Sequence, residues 1–554
     1  MLRLMRDCQP VAMWERGHHI SFYAADQTYE WIGMKKRGAR KTLERLDAAG
    51  MPVLIEHEVY VNSIKLHLPA SLGNLSAADI VTIQNNHGSA YTEDFNNVFA
   101  PLDPVVVRGN LLAWVQEAMQ LVAKRAQDEG SRVQDLTLRQ IAHALFGRPN
   151  IDPGGASDFD ILDPLARTDT KSYDDFVRIT EHLRRFSDPR CIIEIFCGDG
   201  QSVISFKNLK RRWPSRYARW LIAVGGFHEH AHFLFGSTET FWLCFFCSCM
   251  RELGIERVRQ VTHNLEHNAY AHHQTAHKVV TIAIICFLLQ DVQYPPPSLL
   301  LRSIDAYALQ VQSAGGIVML DYLKGAGVPA LHWLRAARRG DGLRLKELFA
   351  YSFHMFRATC HKPVCVQICL IALLGFCCAL PALQAVLAAT VSLSLLGRTG
   401  ANMYVDRLVE AINNIQQGTK RSSNAASFGR AMDMTTLLRP LLHVRHAFAD
   451  SEHNVADIDD ALTTSELVQA RVLQDWLLRM LGHDLTIHFP DNVFHHTGNA
   501  VPLHTGSAQE RRPLEFIWQV AEGLRRGRGR TSQASQERWD THTRRFVFEH
   551  FFPY

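Results

Sequence analysis

The chain has 554 residues, of which 47% are apolar and 21% charged, and its formal net charge is +4 with histidine neutral. These values are typical of a folded globular protein and exclude a largely disordered chain. They also exclude a strongly basic protein, so any nucleic-acid-binding surface must be a local patch.

Cysteine usage and the N-terminal sequence indicate the compartment. Most of the 12 cysteines lie inside apolar runs, without the spacing of a secreted disulfide framework. Charged residues interrupt the apolar stretch that a signal peptide would need at the start of the chain. We therefore expect a reducing intracellular location, nuclear or cytoplasmic, and no secretion.

The length predicts more than one domain, or one large domain with insertions. Composition and periodicity divide the chain into six parts. These are a β-rich N-terminal part (1–70), a helical and loop connection (71–190), central strands (191–235), a helical insertion (236–400), an acidic-face helix followed by further helices (401–482), and a polar, basic tail region (483–554).

Two predicted strands of the N-terminal part surround the first candidate acid. His19 to Ile32 is aromatic and β-branched around Asp26, and Val53 to Leu68 alternates apolar and polar residues as a half-buried strand does. Aspartate is disfavoured in strands and costly to bury unpaired. Asp26 is therefore either on an exposed face or held by a metal ion.

The central part predicts two strands that each end on a polar group. Ile192 to Cys197 precedes Asp199 in a Gly-Asp-Gly turn, and Leu221 to Val224 precedes Gly-Gly-Phe-His228. Carboxylates at adjacent strand ends, joined by one from a helix, hold divalent cations in phosphoryl-transfer enzymes. An ordinary turn also favours aspartate beside glycine, which is the alternative for Asp199.

The sequence around His228 allows a zinc site as an alternative. His228, His230 and His232 would share one face of a strand, whereas a helix would give the HExxH arrangement of zinc hydrolases. The preceding glycines favour a strand end here.

Asp406, Glu410 and Asn413 share one face of a predicted helix, and this face is either functional or simply solvated.

A basic, aromatic segment joins the two central strands. Its cations could neutralise phosphates while its aromatic rings stack on bases, although a solvated amphipathic helix would have the same composition. The candidate nucleic-acid-binding residues are Lys207, Lys210, Arg211, Arg212, Trp213, Arg216 and Arg219.

One stretch of the helical insertion raises the question of a membrane. Pro363 to Gly397 contains no charged residue and is long enough for one span, but Pro381 interrupts it and it has no comparable second segment. We favour a buried pair of core helices and regard a membrane as an unlikely partner, with a membrane-anchored helical protein as the alternative.

Four short motifs, AADQTYEW, FCGDGQ, VGGFH and VDRLVEAINN, resemble a family of transposon-derived proteins with a domain of unassigned function, related to DDE-type transposases. The resemblance implies an α/β fold with an RNase H-like core, that is, a mixed sheet with flanking helices, a large all-helical insertion and a helical C-terminal part. It further implies Asp26, Asp199 and Glu410 as the catalytic, metal-binding acids, with His228 as an additional metal ligand. The chain departs from the family at Gly226, which replaces an aspartate.

The resulting prediction is a transposase-derived protein that cleaves or transfers DNA strands with Mg²⁺ or Mn²⁺, or a degenerate remnant of one. The expected partner is DNA, with a second copy of the chain also possible and no small-molecule cofactor. A catalytically inactive nucleic-acid-binding protein is the main alternative.

Overall fold

The computed structural model of the protein describes most of the N-terminal two thirds of the chain and parts of the remainder. The described residues are 16–31, 44–46, 52–54, 57–91, 95–146, 157–166, 168, 170, 172–253, 267–289, 314–358, 363–393, 402–418, 463–481, 492–494, 500–502 and 513–526.

A six-stranded mixed sheet forms the centre of the fold. Its main order is β5-β4-β1-β7-β8, and β6 also pairs with β4. The strands are β1 (Ile20–Trp31), β4 (His57–His67), β5 (Asp158–Ile161), β6 (Leu165–Ala166), β7 (Ile193–Gly198) and β8 (Trp220–Val224). β1 pairs antiparallel with β4 and parallel with β7, which in turn pairs parallel with β8.

Three small two-stranded sheets lie outside the central sheet. They pair β2 (Glu44–Leu46) with β3 (Pro52–Leu54), β9 (Ser392–Leu393) with β10 (Met403–Tyr404), and β11 (Asn492–Phe494) with β12 (Ala500–Pro502).

Helices make up the rest of the described chain. They are α1 (Ala70–Gly73), α2 (Ala77–Asn85), α3 (Phe99–Leu102), α4 (Pro104–Asp128), α5 (Leu138–Phe146), α6 (Tyr173–Arg184), α7 (Gly200–Arg212), α8 (Gly226–Phe241), α9 (Cys247–Glu252), α10 (His267–Leu289), α11 (Ala314–Tyr322), α12 (Val328–Arg339), α13 (Gly342–Ala358), α14 (Pro363–Cys378), α15 (Pro381–Thr390), α16 (Val405–Gly418), α17 (Thr464–Leu481) and α18 (Pro513–Arg526).

Helices cover both faces of the central sheet. Successive side chains of a strand point to opposite faces, so neighbouring residues of β7 contact helices on different sides. Phe196 packs edge-on against Phe176 of α6 and Phe206 of α7. The next residue, Cys197, lines the opposite face with Phe376 of α14. All six residues of β7 are buried, as expected of a strand that has neighbours on both sides and helices on both faces.

The stretch from Ile151 to Pro164 is rich in glycine, aspartate and proline, which predicts an exposed connection, and the structure contradicts this prediction in part. Residues 158–161 form edge strand β5, which pairs antiparallel with β4. Phe159 is completely buried, whereas its neighbours are not. The glycine, aspartate and proline content of this stretch concealed a strand only four residues long.

The uncharged stretch from Pro363 forms two helices, as predicted. α14 ends at Cys378 and α15 begins with Pro381, a residue favoured in the first turn of a helix. Among the described residues, no helix combines the length and the apolar character needed to cross a membrane.

The aromatic cluster between the sheet and α7 gives a test of this packing. Phe206 is completely buried and contacts the rings of Phe176, Phe196, Tyr217 and Trp220. We expect Phe206→Ala to lower the free energy of unfolding by about 3–5 kcal/mol, because it leaves a cavity in the core. Leu112→Ala, at a side chain on α4 that is 43% exposed, should change it by less than about 0.5 kcal/mol. Urea unfolding measures both, and equal effects would contradict the packing described.

Candidate active site

The first two candidate acids lie side by side at one edge of the sheet. Ala24 of β1 is the parallel partner of Cys197 of β7. Asp26 lies two residues further along β1, and Asp199 lies one residue beyond the end of β7, so the parallel register brings both acids to the end of β7. The sequence predicted that Asp199 and His228 reach the same sheet edge, and the resemblance added Asp26 to this site. The charges of Asp26 and Asp199 both act on His228.

Asp199 begins helix α7 as its N-cap. Its Oδ1 accepts a hydrogen bond of 2.8 Å from the backbone N–H of Ser202. Capping explains an aspartate here without catalysis. Its place beside Asp26 permits a second role, so the two explanations of Asp199 are compatible.

Asp26 is tied to helix α16 through two amides. It lies opposite Asn62 in the β1–β4 pairing. Asn413 Nδ2 donates to Asp26 Oδ2 at 3.1 Å, and Asn62 Nδ2 donates to Asn413 Oδ1 at 2.5 Å. Asn62 and Asn413 are buried, and this bridge therefore fixes α16 over the strand that carries Asp26.

Asp406 makes the most extensive contacts at the site, and the sequence did not single it out as a metal ligand or catalytic acid. Its carboxylate accepts hydrogen bonds from the backbone N–H groups of Phe227 and His228 and from His228 Nδ1, at 3.1–3.3 Å. The side chain is only 2% exposed. Asp406 thus caps the N-terminus of α8 from another helix, where the helix dipole favours negative charge.

Three carboxylates determine the charge of His228, whose side chain is 21% exposed. Burial lowers the pKa of His228, but the hydrogen bond and charge of Asp406 raise it, and so do the charges of Asp199 and Asp26. The net result is a pKa raised to about 10. His228 is therefore an imidazolium at neutral pH, surrounded by acids from three elements.

Glu410 faces the same region. It lies one turn after Asp406 and one turn before Asn413 on α16, and residues at these spacings share a helix face. Since its neighbours on that face reach α8 and Asp26, Glu410 lies between them. Glu410 is half-buried.

The expectation that His228 to His232 form a strand end is wrong. α8 begins at Gly226, because Gly225 is its N-cap and Asp406 satisfies its first N–H groups. His230 is buried, stacked on Trp333 with ring centroids 5.6 Å apart, and its Nδ1 lies 3.2 Å from the Tyr270 hydroxyl. A helix gives the spacing that HExxH requires, but in the described part of the chain no three His, Cys, Asp or Glu side chains are grouped so as to hold a metal ion.

The basic segment lies at the other end of the sheet from the acids. α7 begins at Asp199 and has 13 residues, so it carries the chain about 20 Å away before the segment reaches Arg216. Strand β8 then returns to His228. The segment is therefore not positioned to hold a substrate directly over the acids.

Two of the seven residues predicted to bind nucleic acid are buried. Lys207 Nζ donates to Gln367 at 3.0 Å, and Lys210 Nζ bonds the Trp220 carbonyl. Their relative exposures are 2% and 7%. Burial lowers the pKa of Lys210 to about 7. The exposed residues of the segment are Arg211, Arg212, Arg216 and Arg219, and Trp213 is half-buried.

Gly226, where the resemblance implies an aspartate, has a packing reason. A Cβ on Gly226 would lie 2.5 Å from Tyr404 Cδ1, closer than real Cβ contacts. Tyr404 is buried, and its hydroxyl donates to the Trp333 carbonyl at 2.9 Å. In this chain the Tyr404 ring occupies the space that a side chain at position 226 would need.

Comparison with known proteins identified no matching family model, no similar curated protein and no similar solved structure.

The His228–Asp406 pair predicts a pH-dependent stability. The raised pKa of His228 means that its stabilising effect is complete below its ordinary pKa of 6.5 and is lost as pH rises through about 10. Asp406→Asn keeps a cap acceptor but removes the charge, and should lower the free energy of unfolding below pH 6.5 by about 3 kcal/mol. Urea unfolding of both proteins should show the difference shrinking as pH rises from 6.5 to about 10; a difference independent of pH would contradict the pairing.

Gly226 gives a second prediction. Gly226→Ala should lower the free energy of unfolding by about 1–3 kcal/mol, because the new methyl group displaces the Tyr404 ring. Gly109→Ala is the matched helical control: a Cβ there meets no atom within 4 Å, and it should stabilise by up to about 1 kcal/mol. In the background of Tyr404→Ala, the penalty of Gly226→Ala should largely vanish. An unchanged penalty there would place the strain elsewhere.

Proposed function

We propose that this protein is a transposase-derived, metal-dependent DNA-cleaving and strand-transferring protein with an RNase H-like core. The observation that supports it best is that the parallel pairing of β1 with β7 brings Asp26 towards Asp199, which lies just beyond the end of β7. Helix α16, which carries Glu410, is bound to Asp26 through Asn413. Three acids far apart in sequence thus belong to one region of the molecule.

The strand order gives further support. The resemblance implies an acidic first strand, a strand hairpin, a helix and then a second acidic strand. Here β1 with Asp26 pairs antiparallel with β4, helices follow, and β7 leading to Asp199 pairs parallel with β1. The helical segments α8 to α15 separate this sheet from α16, as an insertion would.

The donor chemistry suits Mg²⁺, although the described residues contain no ready-made group of three metal ligands. Mg²⁺ keeps several waters and is bound through one or two carboxylates together with substrate phosphates, rather than by an all-protein cage. Asp26 and Asp199 would hold it. When bound, the metal would activate a water or hydroxyl and stabilise the leaving oxygen of the phosphodiester.

The protein's own groups would have separate tasks. Asn413 orients the Asp26 carboxylate, and the cap to Ser202 orients that of Asp199. Glu410 adds a third carboxylate on α16. The charge of the protonated His228 partly offsets the repulsion between the acids.

A catalytically inactive nucleic-acid-binding remnant is the second candidate. It is favoured by the hydrogen bond from Asn413 to Asp26, which gives that acid a structural role, and by the absence of a three-ligand group among the described residues. This protein would bind DNA in a salt-sensitive way without nicking it.

A cleavage assay separates the two candidates. Asp199→Asn, which retains a capping side chain, should reduce Mg²⁺-dependent cleavage of DNA by at least about 10²-fold, with the fold intact by circular dichroism. Asp135→Asn, at an exposed acid paired with Arg132, is the control and should leave cleavage unchanged. Wild-type protein that binds DNA but does not cut it with Mg²⁺ or Mn²⁺ would reject the enzyme and favour the remnant.

A further inference from the structure

One cation at the candidate site has no role in the proposed chemistry. Arg407 is exposed, and its guanidinium carbon lies 5.4 Å from the ring centre of Phe227 and 5.8 Å from that of Tyr270. Both rings are at least 95% buried. Two fixed aromatic faces therefore hold the position of an otherwise flexible side chain.

Arg407 is at the rim of the acidic region. It directly follows Asp406 in α16, and the ring that it covers belongs to Phe227, the residue before His228. The guanidinium therefore lies beside the start of α8 while Arg407 itself remains exposed.

Arg407 also differs from other arginines around the sheet in its partners. Arg184 is paired with Glu194 and Arg216 with Glu181. Among the residues that the structure describes, no carboxylate lies within ion-pairing distance of Arg407. Stacking occupies the faces of a guanidinium and leaves its edge of N–H donors directed outward.

We propose that Arg407 binds a phosphate of the nucleic-acid strand that enters the acidic site. This inference rests on the proposed function and adds a specific contact to it. Asp26, Asp199, Asp406 and Glu410 repel a polyanionic strand, and a pre-positioned guanidinium beside them provides the opposite charge where the strand must pass. Guanidinium recognises phosphate through paired N–H donors, and holding it in advance reduces the entropy lost on binding.

The chain contains a matched control. Arg108 is also exposed, and its guanidinium carbon lies 5.1 Å from the ring centre of Trp518. It is on α4, outside the segment predicted to bind nucleic acid. A general effect of removing a stacked surface arginine would therefore appear equally in both variants.

The test uses the full-length protein and duplex DNA in which single phosphates are replaced, one at a time, by uncharged methylphosphonates. Binding is measured by fluorescence anisotropy without metal, for wild type, Arg407→Gln and Arg108→Gln. We expect one linkage at which wild type and Arg108→Gln lose about tenfold affinity while Arg407→Gln, already weakened, loses no more. Arg407→Gln should also reduce the salt dependence of binding by about one phosphate contact.

The outcomes separate this inference from the proposed function. If Arg407→Gln loses as much affinity as wild type at every replaced linkage, the proposed contact is overturned, whether or not the protein cleaves DNA. The expected pattern without any cleavage would support the contact and reject the enzyme. Wild-type protein that does not bind DNA would overturn both. Unchanged thermal unfolding of Arg407→Gln, and partial recovery of affinity in Arg407→Lys, exclude misfolding as the cause.

Discussion

The carboxylate of Asp406 at the N-terminus of α8 is the contact on which the candidate site depends. It joins residues 179 positions apart in the chain. Through this contact α16 is attached to α8, the helix that follows β8. Since the Asn413 bridge attaches the same helix to β1, α16 is fixed at two points, and Glu410 lies between them. Without Asp406, α8 would begin with buried N–H groups that have lost their acceptor, a cost that few surface interactions could offset.

This arrangement also explains why an acidic region can form here at all. Several carboxylates brought together repel one another and raise the free energy of the folded state. The His228 imidazolium supplies a compensating charge from inside the cluster, and Asp406 holds it in position. This charge lowers the repulsion between the carboxylates and so makes the acidic region compatible with a folded chain.

How far the sequence predicted this protein depended on the range of each interaction. The strands with Asp26 and Asp199 were predicted because alternation and apolar runs are local signals, and the register then brought the two acids together. The helix beginning at Gly226 was missed because its N-cap comes from Asp406, far away in sequence. The burial of Lys207 and Lys210 was missed for a similar reason: their partners, Gln367 and the Trp220 carbonyl, become neighbours only once α14 and β8 pack beside α7. The D-x-x-x-E-x-x-N spacing on α16 gave the correct shared face but no indication of which acid binds what.

Positions 226 and 404 limit the size of each other's side chains. A side chain at this position and the Tyr404 ring exclude each other sterically, so an aspartate could occupy position 226 only with a smaller residue at 404. Here the aromatic ring is present, and it is anchored by its bond to the Trp333 carbonyl. The acid nearest the start of α8 comes instead from Asp406, two residues after that ring on the same segment. Negative charge therefore lies at the end of β8 without an acid at position 226, because Asp406 of α16 supplies it.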